Sequence, residues 1–282
     1  MVDLSDLLVD LAGESEALEA LVGPLSPADW ARPTPAAGWT VAHQVAHLAW
    51  TDHVALLAAT DAEAFFASVA SVPDPARLVD HGAEEFLAPP ADLLARWRGG
   101  RAALAAALAL VLPGEKLPWY GTRMSAASMV TARIMETWAH GEDVADALDV
   151  HRPDTHRLRH VAHLGVRTLG HGFAAHGRPM PAAPVRVELA GPGGETWSWG
   201  PAESTDRVTG RARDFCLLVT QRRHRADLAL TVTGPVADEW LDVAQAFAGP
   251  PGAGRPPLDP PPGHPPTGEA GTRAAGPSGV PV

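Results

Sequence analysis

The stretch Met129–Leu148, MVTARIMETWAHGEDVADAL, constrains this chain most, because it sets Glu136 and His140 four residues apart in what reads as one helix. At about 3.6 residues per turn, that spacing points both side chains from one face, a turn apart. Met129, Ala132 and Ala139 share the face, so a carboxylate and an imidazole turn inward, where each needs a partner. A second helical pattern, GWTVAHQVAHLAWTD at 38–52, offers one, with His43 and His47 again four apart. If the two helices pack side by side, an imidazole of one meets the Glu/His pair of the other, which is the N/O donor set of a divalent-metal site. Taken alone, such i,i+4 pairs also occur on solvated helix faces. Donors drawn from two separate helices of a bundle favour a metal more than either pair does, but spacing alone leaves both readings open. Spacing does not choose between His43 and His47, although His43 sits in the first turn, near the helix start.

Four long amphipathic segments carry the first half. Residues 3–22 repeat Leu, Val and Ala at helical spacing until Gly23-Pro24. Ser26-Pro27-Ala28-Asp29 starts a short turn that Pro33 and Pro35 stop. Thr40 caps a helix from about Val41 to Ala59 or beyond, and an irregular passage punctuated by Pro73-Asp74-Pro75 and Pro89-Pro90 follows. Ala91–Leu112 is the third long helix and the Glu136/His140 segment the fourth. Pro/Gly breaks between such segments predict an antiparallel four-helix bundle over residues 1–150.

After that the period changes. Residues 151–180 read as a connecting helix, apolar at Leu158, Val161, Leu164, Val166 and Leu169, with its regular part over 154–177. PVRVEL at 184–189 and DLALTVTG at 227–234 alternate, GGETWSWG reads as a turn and a strand, and VADEWLDVAQAFAG at 236–249 has helical spacing. A small α+β domain over 181–249 fits, which makes the fold class α+β overall. Residues 250–282 are almost wholly Pro, Gly, Ala and charged groups and predict a disordered tail.

A formal charge of −11 argues against nucleic-acid and anionic-membrane partners. The single cysteine, Cys216, excludes an internal disulfide and fits a reducing cytoplasm. It lies in the apolar run FCLLV and reads as a buried inert thiol. The acidic, amphipathic start is neither a signal peptide nor a membrane span. His156, His160 and His163 share a helix face with no carboxylate close in sequence and read as surface or packing residues. Trp39, Trp50 and Trp138 flank the candidate ligands and read as core. The basic run Arg222-Arg223-His224-Arg225 reads as a solvated patch, with a carboxylate clamp as the alternative. Absence of Asn, with one Lys and one Ile amid abundant Ala, Pro, Gly and Arg, tracks GC-rich codons and suggests a high-GC bacterium.

GWT, then AHLAW, then METWAHGEDVADAL resembles the metal-binding bundle of the DinB-like superfamily, in particular its mycothiol-dependent maleylpyruvate isomerases. Together with VTGRARDFCLLVTQRRHRADLALTVTGPVADEWLDVAQAFAGPPG, the likeness spans nearly the whole chain up to the tail, and it extends to actinobacterial metal-binding proteins of similar length. The resemblance implies His47, Glu136 and His140 as ligands of a divalent ion, Zn²⁺ first among them. It places His43 behind the ligands and Asp143 as a group orienting a ligand or substrate. It also implies that an arginine of the carboxy-terminal domain reaches toward the metal, Arg222 with Arg223 as rival. The activity implied is mycothiol-dependent isomerisation or S-transfer on a small electrophile. The other reading is a non-catalytic carrier, because the α+β domain also resembles sterol-carrier modules.

Overall fold

The structure, a computed structural model, describes residues 3–72, 74–252 and 254–258. Helix α1 (Leu4–Val22) begins at Asp3, whose carboxylate accepts the Ser5 N–H, and α2 (Pro27–Trp30) is one turn closed by the Ser26/Asp29 capping box. There follow α3 (Val41–Thr60), α4 (Ala62–Ala70), α5 (Leu78–Phe86), α6 (Pro90–Ala109), the hairpin β1 (Leu117–Trp119) and β2 (Thr122–Met124), and α7 (Ala126–Leu148). Helix α3 packs against both α6 and α7, and α7 against both α1 and α3, so the four long helices form the bundle. The passage expected to be irregular holds two helices. Asp61 caps α4 by accepting the Ala64 N–H, and α5 lies close on α3 because Gly82 has no Cβ, which would sit 2.2 Å from the Trp50 ring.

The second half starts with α8 (Leu158–Arg167) and α9 (Leu169–Ala175), where the apolar pattern predicted one helix. The break is at Thr168 (φ −93°, ψ 11°), whose hydroxyl donates to the carbonyls of Leu164 and Gly165. Strands β3 (Val185–Ala190), β4 (Thr196–Trp199), β5 (Asp206–Arg211) and β6 (Leu230–Thr233) form a sheet in the order β4-β3-β5-β6. Only β3 and β5 are parallel, with Val187 beside Val208. Strand β5, DRVTGR, did not stand out in the sequence because only Val208 of its inward positions Asp206, Val208 and Gly210 is apolar. Helix α10 (Ala212–Val219) leaves β5 directly, and α11 (Pro235–Val243) ends well before residue 249 because the chain then turns back, the Ala246 N–H donating to the Val219 carbonyl at 2.7 Å.

The fold class is α+β, and α7 joins its two parts. Met135, Trp138 and Ala139 of α7 belong to the same apolar cluster as Val187, Leu189, Val208, Phe215 and Trp240 of the sheet side. Its other face lies in the bundle, where Met129, Val130 and Ile134 pack with Leu7, Leu11 and Leu104. A buried ionic network adds to the seam. Arg152 pairs with Glu14 of α1 and with Glu142 of α7 (3.1 Å), and Arg213 of α10 pairs with Glu142 and Asp154. Within the bundle, buried Arg133 of α7 holds Asp52 of α3 at 2.9 Å. Burial raises the Asp52 pKa, with the Arg133 charge acting against the rise.

The chain keeps to the body of the protein beyond Gly249. Arg255 pairs with Asp143 of α7, and the Leu258 N–H donates to Asp227 at 3.0 Å. Of the tail expected from 250 onward, residues 259–282 lie outside the described residues. Among the described residues, no helix is long and apolar enough to cross a membrane.

Candidate metal centre and its cleft

Helices α3 and α7 bring His47, Glu136 and His140 together. Nε2 of His47 lies 3.4 Å and Nε2 of His140 3.2 Å from the same Glu136 oxygen, Oε2. One donor atom from each residue lies within 4.8 Å of the others, and among the described residues this is the one such group of His, Cys, Asp and Glu donors. His47 and His140 are buried, their rings 4.4 Å apart, while Glu136 keeps 22% of its side chain exposed.

Hydrogen bonds behind the site set the His140 tautomer. The Thr34 hydroxyl donates to the Trp39 carbonyl at 3.0 Å, so the Gln44 amide NH₂ must be the donor to Thr34 Oγ1, at 2.8 Å. That leaves the Gln44 carbonyl oxygen facing His140 Nδ1 at 2.5 Å, and Nδ1 carries the proton. Nε2 of His140 therefore presents a lone pair to a carboxylate oxygen. Burial first, and then charge at His47, push His140 down to about 4. At neutral pH the neutral imidazole and the ionised carboxylate are both acceptors, and two acceptors facing one another repel. His47 adds a buried Nδ1 with no hydrogen-bond partner. A divalent cation among the three would turn this repulsion into coordination, so the donor set fits such an ion.

The candidate ligands lie behind tryptophans. The Trp39 ring stacks on His140 with centroids 6.0 Å apart and stands 5.3 Å from His47, while the Trp50 ring lies 5.8 Å from His47. Trp50 and Trp138 are buried, as the sequence reading expected. Trp39 is not core, because it walls a cleft of about 220 Å³ lined also by His140, Asp143, Gln221, Arg222 and Arg255. The cleft thus runs between α7 and the segments that follow α10 and α11.

The remaining candidates fall as follows. His43 is turned to its own helix start, where its Nδ1 meets the Thr40 hydroxyl at 2.8 Å and the Thr40 N–H at 3.3 Å. It touches the site only through Trp39, at a centroid distance of 6.3 Å. Asp143 is buried and grips two guanidiniums, Arg222 through Oδ2 at 3.0 Å and Arg255 through Oδ1. Arg222 lines the cleft beside His140, whereas Arg223 is taken up by both oxygens of Asp146 at 2.6 and 2.7 Å. Arg225 pairs with Asp238 and Asp242, so the basic run is three separate ion pairs and not one solvated patch. His156 and His160 have a carboxylate partner after all. Asp10 of α1 bonds both, at 2.8 and 2.7 Å, from far back in the chain. Cys216 is buried, and burial pushes its thiol well above the ordinary range, which fits an inert role.

Two residues of the site escaped the sequence reading. Gln44 stands three before His47, a spacing that shares its face, but a glutamine among histidines carries no signal of its own. Arg255 sits in a Pro/Gly run with no periodicity to place it.

Comparison with known proteins agrees with this fold. Residues 11–145 match the family described as mycothiol maleylpyruvate isomerase N-terminal domain, and residues 181–232 match one described as wyosine base formation. Two strains of Mycobacterium tuberculosis hold uncharacterised proteins 55% identical over 258 residues, covering 90% of this chain and 100% of each relative. The crystal structure of the mycothiol-dependent maleylpyruvate isomerase is similar in fold, with a TM-score of 0.54 at 15% identity over 82% of this chain and 93% of that one. A histidine-to-alanine variant of it matches equally, at a TM-score of 0.54 and 14% identity. The chain therefore belongs to the mycothiol maleylpyruvate isomerase superfamily, in one family with these mycobacterial proteins.

Proposed function

We propose that this protein is a metal-dependent enzyme of the cytoplasm that uses a thiol, mycothiol by its kinship, to isomerise a small electrophile or transfer sulfur to it. The observation that carries the reading is the meeting of two imidazole nitrogens and one carboxylate oxygen whose member His140 opens into a cleft beside Arg222. Three protein donors are the pattern of sites that keep a further position for water or substrate. A divalent ion held by His47, Glu136 and His140, Zn²⁺ foremost, would supply Lewis acidity that brings a thiol, of pKa about 8.5 when free, to its thiolate at neutral pH.

The chain's own groups do the rest. Gln44 holds His140 in the tautomer that turns Nε2 to the site, and Trp39 and Trp50 keep water from the imidazoles. Arg222, oriented by Asp143, supplies N–H donors to a carboxylate of the substrate. Sulfur adding to an activated C=C, rotation about the resulting single bond, and departure of sulfur amount to cis–trans isomerisation. Sulfur displacing a leaving group and staying attached is S-transfer. What supports the enzyme reading over the carrier one is that the cleft lies between the two parts of the chain and sets the charged groups Asp143, Arg222 and Arg255 beside His140.

The test is metal content together with turnover. Purified protein should hold about one divalent ion per chain and consume mycothiol, or return it unchanged, against a panel of unsaturated acids and quinones. Absence of metal, or a His47→Ala variant that keeps its full metal content, would remove the basis for the proposal.

A further inference from the structure

The segment after α11 brings a second guanidinium to the cleft. Arg255 follows a run of prolines and glycines, yet its side chain is only 16% exposed and bonds Asp143 Oδ1, while Arg222 takes Oδ2. One carboxylate thus spans two arginines, each on its own oxygen. The neighbouring carboxylate, Asp146, pairs with Arg223 at 2.6 Å, so three guanidiniums meet two carboxylates here. The cleft wall therefore holds one positive charge more than its own acid neutralises. Burial first, and then repulsion from Arg222, hold Arg255 below its ordinary pKa against the pull of Asp143, which shows the cost of keeping that charge there.

The donor count points the same way. Arg222 spends Nε and Nη2 on Asp143 and one Nη1 hydrogen on the Thr220 carbonyl at 2.7 Å. Arg255 spends Nη2 alone, and its Nε and Nη1 have no hydrogen-bond partner among the described residues. A guanidinium offers five N–H donors in one plane, so Arg255 has donors in hand at the cleft wall.

We propose that Arg255 is a substrate-binding residue of the cleft, forming with Arg222 a two-guanidinium seat for a carboxylate of the ligand, and that Asp143 holds the pair at the spacing one carboxylate bridges. The inference rests on the cleft being the substrate site, but it does not require that the metal reading be right.

The experiment is calorimetric titration of the full-length protein with succinate and with its neutral counterpart succinamide, alongside metal content and thermal midpoint. The unaltered protein binds succinate and not succinamide. Arg255→Gln weakens succinate binding about tenfold or more, the size of one charge-assisted contact. Arg255→Lys recovers part of the loss, and neither change alters metal content. Succinate affinity unchanged in Arg255→Gln, with only the thermal midpoint lowered, would make Arg255 a clip for its own segment and overturn the proposal. So would equal binding of succinamide, or no succinate binding by the unaltered protein. Loss of metal in His47→Ala bears on the metal reading alone, so the two can fail separately.

Discussion

Replacing Gln44 tests whether the bonds behind the ligands govern the centre. Gln44 is fully buried, and its carbonyl oxygen accepts from His140 Nδ1 at 2.5 Å. Gln44→Leu keeps roughly the same volume but leaves the Nδ1–H without an acceptor in a place water does not reach. An unsatisfied buried donor costs about 1–3 kcal/mol. The imidazole can escape that cost by moving its proton to Nε2, which removes the lone pair the ion needs, or by turning the ring. Either way the cost falls on the bound state, and at about 1.4 kcal/mol per tenfold it predicts a zinc affinity lower by about 5- to 150-fold. Groups behind metal ligands elsewhere contribute 10- to 100-fold, the same range. Gln44→Glu should do the opposite, because a carboxylate acceptor makes the imidazole more basic and adds negative charge near the cation. The assay is competition with a chromophoric chelator of known zinc affinity, with the far-ultraviolet spectrum as a folding control. An affinity for Gln44→Leu within twofold of the unaltered protein, with the fold intact, would mean that Nδ1 does not control the tautomer and that the lone-pair argument is wrong.

Other outcomes follow from the same structure. Asp52→Ala strands the buried Arg133 charge and should cost about 3–5 kcal/mol, read as a lower urea midpoint, while Asp52→Ala with Arg133→Met should recover most of it. Gly82→Ala puts a methyl 2.2 Å from Trp50, so about 1–3 kcal/mol of stability should be lost and the Trp50 fluorescence should change. Metal-free protein should lose stability on acidification. His140 is held near 4 in the folded chain against about 6.5 when unfolded, so its contribution is complete above pH 6.5 and lost as the pH falls toward 4. The loss is about 3 kcal/mol at most, checked by urea midpoints at pH 7, 5.5 and 4, and His140→Gln should flatten the dependence. Acidification should also loosen the join between α1 and α8, because Asp10 is held below its ordinary pKa by bonds from His160 and His156 that outweigh its burial. That contribution is present above about pH 4 and lost as the pH falls further, and amide exchange in α1 would show it.

The candidate ligands could be read from the chain alone because helical spacing is a local property. Glu136 and His140 share a face wherever α7 lies, and His47 shares one with its own neighbours in the same way. The breaks at Gly23-Pro24 and Pro89-Pro90 were equally legible, since proline and glycine act on their own backbone. Which histidine of α3 meets α7 was another matter. His43 and His47 are equivalent by spacing, and family resemblance, not geometry, favoured His47 before the structure brought it to Glu136 while His43 turned to Thr40. Arg222 and Arg223 were adjacent rivals until Asp143 and Asp146, one turn of α7 apart, drew one to the cleft and the other away. Gln44, Arg255, and the partnership of Asp10 with His156 and His160 depend on pairs far apart in sequence. No periodicity reports such pairs, because they exist only once helices pack and buried polar groups must find partners.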